Sequence, residues 1–331
     1  MSSAISTVAA KLNVPAPTPA VEAFIQKAFN IVILPVIGIT VFLLLWTLAA
    51  QSIDTSLGKF PGPKAVVEQF SSLKAEHVAE REKEEAFYER QEVRNAKRLE
   101  MDPTYVPKVR PYTGKETYLD QIFTSLKTVM SGFFLAAIFA IPLGIAIGLN
   151  KSFSTAVNPI IQLFKPVSPL AWLPLVTMVV SALYTSPDPV VPKAFINSLV
   201  TVMLCCIWPM IINTAVGVGS IDSDLTNVSR VLRLSPLVHV KKIVLPAAIP
   251  MIFTGMRLSL GVAWMVLIAA EMLAQNPGLG KFVWDEFQNG SSDSLSRIMA
   301  AVITIGFIGF LLDKGMAYIQ QYVSWDKRAA N

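Results

Sequence analysis

A chain of 331 residues, 53% hydrophobic and only 15% charged, with a mean hydropathy of +0.52, is too apolar for a soluble globular domain and reads as a polytopic membrane protein. Its net charge of +5 is carried by hydrophilic stretches between apolar runs rather than along one face, which argues against nucleic-acid binding. Cys205 and Cys206 are adjacent inside an apolar run and His77 and His239 are far apart, so neither a useful disulfide nor a metal centre is expected.

The pattern predicts an all-α fold of six transmembrane helices with a helical extramembrane insert. Residues 1–28 form a tail containing the linker-like VPAPTPA, and because the first apolar span lies well inside the chain no cleavable signal is expected. That span covers 29–50. A hydrophilic insert follows over 51–118. Its middle, LKAEHVAEREKEEAFYERQEVRNAKRLE, combines strong helix formers with early acidic and late basic residues, which suits the helix dipole. Arg81 and Glu85 are spaced to pair at i,i+4, and Pro103, Pro107 and Pro111 stop the helix and return the chain as an extended strap. A solvated hairpin or spacer and a docking platform for a partner are both compatible with this composition.

Five more spans, each about the twenty apolar residues a bilayer core requires, are expected at 122–149, 157–184, 194–217, 247–273 and 298–322. They make a five-helix core over 119–325, followed by a tail at 326–331. Pro142, Gly144, Pro174 and Pro209 within the spans favour a packed, cavity-forming bundle over isolated anchors. Between spans four and five lies a polar island, DLTNVSRVLRLSPLVHVKKIVLPAAIP at 224–250, inside a loop running over 221–245. It divides into two short helices. The first puts Leu225, Val228 and Leu232 on one stripe and Asn227, Arg230 and Arg233 off it. The second starts with Ser235 as cap and Pro236 at the first helical position, and Pro246 marks the start of the next span.

Loop charge sets the expected orientation. The 221–245 loop and the tail carrying Lys327 and Arg328 are basic, whereas Asp285, Glu286 and Asp293 outnumber Lys281 in the 275–293 loop. Both termini are therefore expected in the cytoplasm and the insert outside.

Within span five, Arg257, Trp264 and Glu271 recur at seven-residue steps on one helix face. Arg257 falls near mid-bilayer, where a charge needs water, a counter-charge or a substrate. The three are candidates for an anion path, with an Arg toward the middle, a Trp constriction and an acidic mouth. The alternative is structural: Arg257 pairs with carbonyls or an acid on a neighbouring helix, and Trp264 packs the bundle. Trp172, with Pro169 and Pro174, is a candidate broken-helix gate or a packing kink. Asn213 is a candidate oxyanion donor or a buried amide joining two helices. No Walker A loop, G-x-S-x-G or spaced acid/base pair occurs, so no catalysis is expected in this chain.

The 224–250 island resembles the "EAA" cytoplasmic loop of ABC-importer permeases. Counted back from Leu245 and Pro246, Ile243 fits the I-x-L-P ending, Asn227, Val228 and Ser229 occupy the EAA positions, and Arg233 stands where the pattern has Gly. SLKTVMSGFFLAAIFAIPLGIAIGL at 125–149, PLAWLPL at 169–175, IWPMIINTAVGV at 207–218 and TGMRLSLGVAWMVLIAAEML at 254–273 look like permeases of importers for nitrate, with relatives for bicarbonate, taurine and other sulfonates. The nitrate subgroup is the most similar, through IWP-x-x-x-NTAVGV and N-V-x-R-V-L.

The resemblance implies a MetI-like, type I permease core in the bacterial inner membrane. Two copies would form the path through the lipid bilayer, cytoplasmic ABC ATPase subunits would bind ATP and Mg, and a periplasmic solute-binding protein would deliver the solute. This chain itself would carry no cofactor and no metal. By the same carry-over, Asp224, Asn227, Val228, Ser229, Arg230, Leu232, Arg233, Leu234 and Ser235 would meet the ATPase. Asn227 would offer a neutral hydrogen bond where the family has Glu. The expected solute is nitrate or nitrite, with bicarbonate, cyanate or a sulfonate as alternatives. An ion-coupled secondary carrier would show internal repeats and several intramembrane acids, neither of which is apparent. A membrane scaffold would place its function in the insert.

Overall fold

Most helix boundaries follow from capping residues and prolines that the chain places locally. The computed structural model describes residues 26–27, 29–55, 58–185, 191–291 and 293–323. Most of the N-terminal tail, and all of the 326–331 tail with Lys327 and Arg328, lie outside these residues. The chain divides into two compact units, Met1–Glu68 and Gln69–Asn331.

In the first unit a π-helical turn, Phe29–Ile33, precedes helix α1, Leu34–Ser52. Pro35 cannot donate and its ring would crowd the carbonyl four residues back, so the widened turn accommodates it. With the turn included the span is 24 residues, about 36 Å at 1.5 Å per residue and enough to cross a bilayer. A short antiparallel pair, β1 (Asp54–Thr55) and β2 (Gly58–Lys59), follows. Trp46 Nε1 donates to the Pro61 carbonyl at 3.0 Å, giving its indole the polar partner such rings take at a membrane boundary.

Helix α2, Pro63–Met101, is 39 residues long, about 58 Å. Asp102 Oδ1 accepts from the Thr104 amide and hydroxyl and turns the chain. The proline-containing strap then returns antiparallel along α2. It builds no ladder of its own, so side chains of α2 satisfy its backbone. Gln91 donates to the Arg110 carbonyl at 2.9 Å and accepts from the Arg110 amide at 2.8 Å. Tyr88 Oη accepts from the Tyr112 amide, and the Tyr112 hydroxyl donates to Glu80 at 2.7 Å. The insert is thus one helix with a zippered strap rather than a helical hairpin. Arg81 pairs with Glu84 (2.6 Å) and Asp120 (3.1 Å), not with the expected Glu85, because Asp120 sits in the capping box that starts the next helix.

Helix α3, Tyr118–Leu149, is followed by α4, Lys151–Phe164, and α5, Pro169–Leu183. The third span, expected over 157–184, is built from α4 and α5, which meet at a 99° bend. Pro166 and Pro169 remove two amide donors, and the Ser168 hydroxyl caps the new helix through the Leu170 amide. Helix α6, Lys193–Gly219, leads to α7 (Ser223–Val231), α8 (Pro236–His239), a π-helical turn at Val240–Val244 and α9 (Leu245–Ala274). Helices α10 (Leu279–Asn289) and α11 (Ser294–Val323) complete the described chain. Among the described residues, five helices, or six spans if the bent pair is counted as one, are long and apolar enough to cross a membrane.

Helix α6 packs between α3 and α9, and small residues set the spacing. A Cβ on Gly132, Gly144 or Gly148 of α3 would lie 2.8, 2.6 or 2.5 Å from side-chain carbons of Val202, Thr214 or Val218 on α6. On the other flank, a Cβ on Gly255 of α9 would fall 2.8 Å from Asn213 Cβ. In hydrocarbon there is no hydrophobic drive between helices, so this close backbone approach supplies the van der Waals attraction that holds them. Ser259 Oγ of α9 donates to the Cys206 carbonyl at 2.6 Å, in the turn before Pro209, where a helix proline would otherwise loosen backbone bonding.

Candidate functional site

The 221–245 loop folds as a helix, a tight turn and a helix. Asp222 caps α7 by accepting from the Asp224 amide at 3.0 Å, and Asp224 adds a carboxylate to the first turn. The helix ends in a Schellman motif: the Arg233 amide donates to Arg230 O at 3.0 Å and the Leu234 amide to Ser229 O at 3.1 Å. Arg233 therefore adopts φ 48°, left-handed, at the position where the loop pattern has Gly. Glycine takes this conformation without penalty, whereas a side chain costs about 1 kcal/mol.

Ser235 occupies the cap position of α8 and Pro236 its first position, as expected, although the serine hydroxyl makes no cap bond. The chain does not break at Pro246. Residues from Pro236 to Ala274 form one 39-residue helical run, and the π turn at Val240–Val244 makes room for the proline ring. Ser229 Oγ and His239 Nδ1 share a 2.7 Å hydrogen bond that closes α7 against α8. Beneath the loop, Val218, Val244, Ala248 and Ile252 form a buried cluster that also packs Ile221.

The loop's upper surface is uncovered. Leu225, Val228 and Leu232, expected on one stripe, are exposed, and Val231 and Leu237 are 81% and 84% exposed. Asn227, Arg230, Arg233, Lys241 and Lys242 are exposed beside them. Apolar side chains interleaved with cations, left bare on a polar loop, are the composition of a protein-docking patch.

The candidate path residues disperse. Arg257 forms a bidentate pair with Asp313 of α11 at 2.5 and 2.6 Å, and both side chains are 42% exposed. Trp264 is buried, donates to the Ile305 carbonyl at 2.9 Å and rests against Gly309. Glu271, 0% exposed, accepts from Ser125 Oγ of α3 and from the Gly280 amide at 3.0 Å, so it ties α3 and α9 to the N-terminus of α10. The three residues thus take separate partners: Arg257 pairs with an acid on a neighbouring helix, Trp264 packs in the bundle, and Glu271 joins α3 to α10. Asn213 donates to the Pro209 carbonyl of its own helix at 2.8 Å. Trp172 lies 5.8 Å from the Phe164 ring, which stacks on Trp208 at 6.2 Å, and this aromatic group braces the α4–α5 bend.

Sequence reading missed Asp313, the Ser229–His239 bond, Ser125 and the Phe164–Trp208 stack. Asp313 was as visible as Arg257, being an acid inside an apolar span, whereas Ser125 and Phe164 carry no distinguishing local pattern.

Residues 140–325 match the family described as "Binding-protein-dependent transport system inner membrane component". The nitrate import permease NrtB of Synechococcus elongatus is 37% identical over 204 residues, covering 62% of this chain and 69% of that one. The bicarbonate transport system permease CmpB of Synechocystis sp. is 34% identical over 321 residues, 96% of this chain and 98% of that one. Among solved structures, a methionine ABC transporter, MetNI, in inward-facing conformations aligns with a TM-score of 0.55 at 14% identity, covering 62% of this chain and 95% of that chain. That match shows a shared fold.

Proposed function

The chain belongs to the binding-protein-dependent transport system inner membrane component family, the permeases of ABC importers, and from that membership we propose that it imports a small inorganic anion, nitrate or nitrite first. The observation that carries the coupling half of this reading is the 221–245 loop, whose bare apolar and basic patch is fixed by the Schellman turn and the Ser229–His239 bond.

In this reading the patch lies in the cytoplasm and seats on an ABC ATPase subunit. Asp224, Asn227, Val228, Arg230, Leu232, Arg233 and Ser235 meet the partner, while Ser229 holds the patch in shape. ATP and Mg belong to the ATPase. Closure of two ATPase subunits draws together the loops of two permease copies. Because α8 runs into α9 without a break, that displacement enters span five directly, and the Val218–Val244 cluster carries it to α6. Both termini lie inside and the α2 insert outside.

Arg257 and Asp313 support a path on the α9–α11 surface. A charge pair with 42% exposed side chains inside two spans is costly against lipid, so water or a second copy covers it. Nitrate rests on the relatives named for nitrate import. Bicarbonate, also a small planar monoanion, is the second reading, supported by the nearly full-length match to CmpB.

The test is to co-purify the chain with its ATPase and binding protein and to measure uptake of labelled nitrate and bicarbonate into vesicles. ATP-dependent nitrate uptake upholds the reading, bicarbonate uptake alone replaces the solute, and uptake without any ATPase rejects it.

A further inference from the structure

Arg297, one turn into α11, is the meeting point of three elements. Its guanidinium donates two bonds to Glu76 of α2, at 2.6 and 3.0 Å, and contacts Glu286 of α10 at 2.7 Å. Its side chain is only 14% exposed and lies over the Phe282 ring of α10 at 5.7 Å. Glu286 also accepts from Ser294 Oγ at 3.1 Å, which fixes α10 to the start of α11. A second fastening lies alongside: Arg81 reaches Asp120, and His77 bonds Thr117, at the cap of α3. A spacer would need none of this. One bidentate fork from Arg297 to Glu76, the single Arg81–Asp120 bond and the His77–Thr117 bond give α2 a defined seat on α3 and α11.

Beyond Glu76 the arm extends a further 25 residues to Met101, about 38 Å of helix, stiffened by the strap zippered to Glu80, Tyr88 and Gln91. Charge separates along it. Residues 74–85 carry five acids against three bases, and residues 86–110 carry six bases against four acids. A stiff arm with a basic tip suits a soluble partner with an acidic face. At its base is a cavity of about 270 Å³ bordered by Glu80, Lys115, Glu116, Gln121, Phe282 and Arg297.

We propose that the α2 arm is the surface on which the solute-delivering binding protein docks, and that Arg297 passes the arm's position to α10 and α11. The proposal rests on the permease reading above. Glu76 holds the arm, Arg297 receives its movement, and the Glu271–Ser125 knot beneath α10 extends that movement to α3 and α9. Arg297 is a positioning residue and touches no solute in this scheme.

The experiment uses the whole complex in vesicles and compares basal ATP hydrolysis with hydrolysis stimulated by solute-loaded binding protein. Glu76→Arg opposes Arg297 with a like charge while leaving the Arg297–Glu286 contact in place, and Glu76→Gln removes the charge at nearly constant size. Both should leave basal hydrolysis unchanged and lower stimulation at least about fivefold, the smallest effect expected of a genuine coupling between sites. Raising salt should weaken binding-protein affinity for wild type. Charge reversal of tip residues Arg94 and Lys97 should lower that affinity while the seat at Glu76 stays intact. Unchanged stimulation in both Glu76 variants, or unchanged affinity in the tip variant, overturns the proposal and leaves the permease reading standing. Absence of any ATPase in the wild-type complex removes the permease reading itself.

Discussion

Ser229 and His239 are ten residues apart in sequence and joined by a 2.7 Å hydrogen bond across the turn between α7 and α8. The bond sets the angle between α7 and α8, and so fixes how the bare apolar patch is presented. Ser229→Ala removes a net hydrogen bond of about 1 kcal/mol from a side chain that is otherwise buried. We expect assembly with the ATPase to persist and solute moved per ATP hydrolysed to fall; equal efficiency in the variant would show that the turn holds its shape without this bond.

Arg233 adopts left-handed geometry that only glycine takes without cost. Arg233→Gly should therefore keep or raise the melting temperature of the detergent-solubilised protein, whereas Arg233→Val should lower it through roughly 1–2 kcal/mol of added strain. If the arginine also contacts the ATPase, the glycine variant will bind that subunit more weakly despite its stability, and thermal and binding measurements separate the two effects.

Arg257 and Asp313 stand or fall as a pair. Removing one leaves the other unneutralised within a span, a larger loss than replacing both. Arg257→Ala and Asp313→Ala should each reduce yield of monodisperse protein, and the Arg257→Leu, Asp313→Leu double variant should recover it. Transport by the double variant then decides the path question. Uptake near wild type would make the pair purely structural, and well-assembled but inactive protein would place it on the anion's route.

The seat of the arm should weaken in acid. Arg297, by donating to Glu76, holds that carboxyl below its ordinary value of 4.5. The pairing therefore contributes stability above about pH 4.5 and loses it as pH falls through the lower folded value. Glu116 runs the other way, since burial and then neighbouring Asp120 raise its pKa, so its contribution favours acid and fades as pH rises through that raised value. Limited proteolysis of the strap should accelerate below about pH 4.5 in wild type and show less of this dependence in Glu76→Gln.

Close helix contact gives a stability prediction with its own control. Gly144→Val would force side-chain atoms into Thr214 and the Ile211 carbonyl and should cost several kcal/mol, read as lost melting temperature. Gly261→Ala meets nothing within 4 Å and should be close to neutral.

Amino-acid order alone settled those features that depend on neighbours along the chain. The apolar runs placed the spans, the prolines placed the end of α2 and the start of α8, and the polar island at 224–250 marked the helix–turn–helix loop between α6 and α9. Each is a local matter of hydropathy, capping or a missing donor. Only the folded chain decided which helix faces meet. Arg257 finds Asp313 56 residues away, Ser125 finds Glu271 across 146, and Arg297 finds Glu76 across 221. Those pairings depend on the rotation and register of one helix against another, which the α3, α6 and α9 glycines set through backbone approach. The 99° bend between α4 and α5 belongs with them: prolines permit a break there, while its angle is fixed by what the two helices pack against.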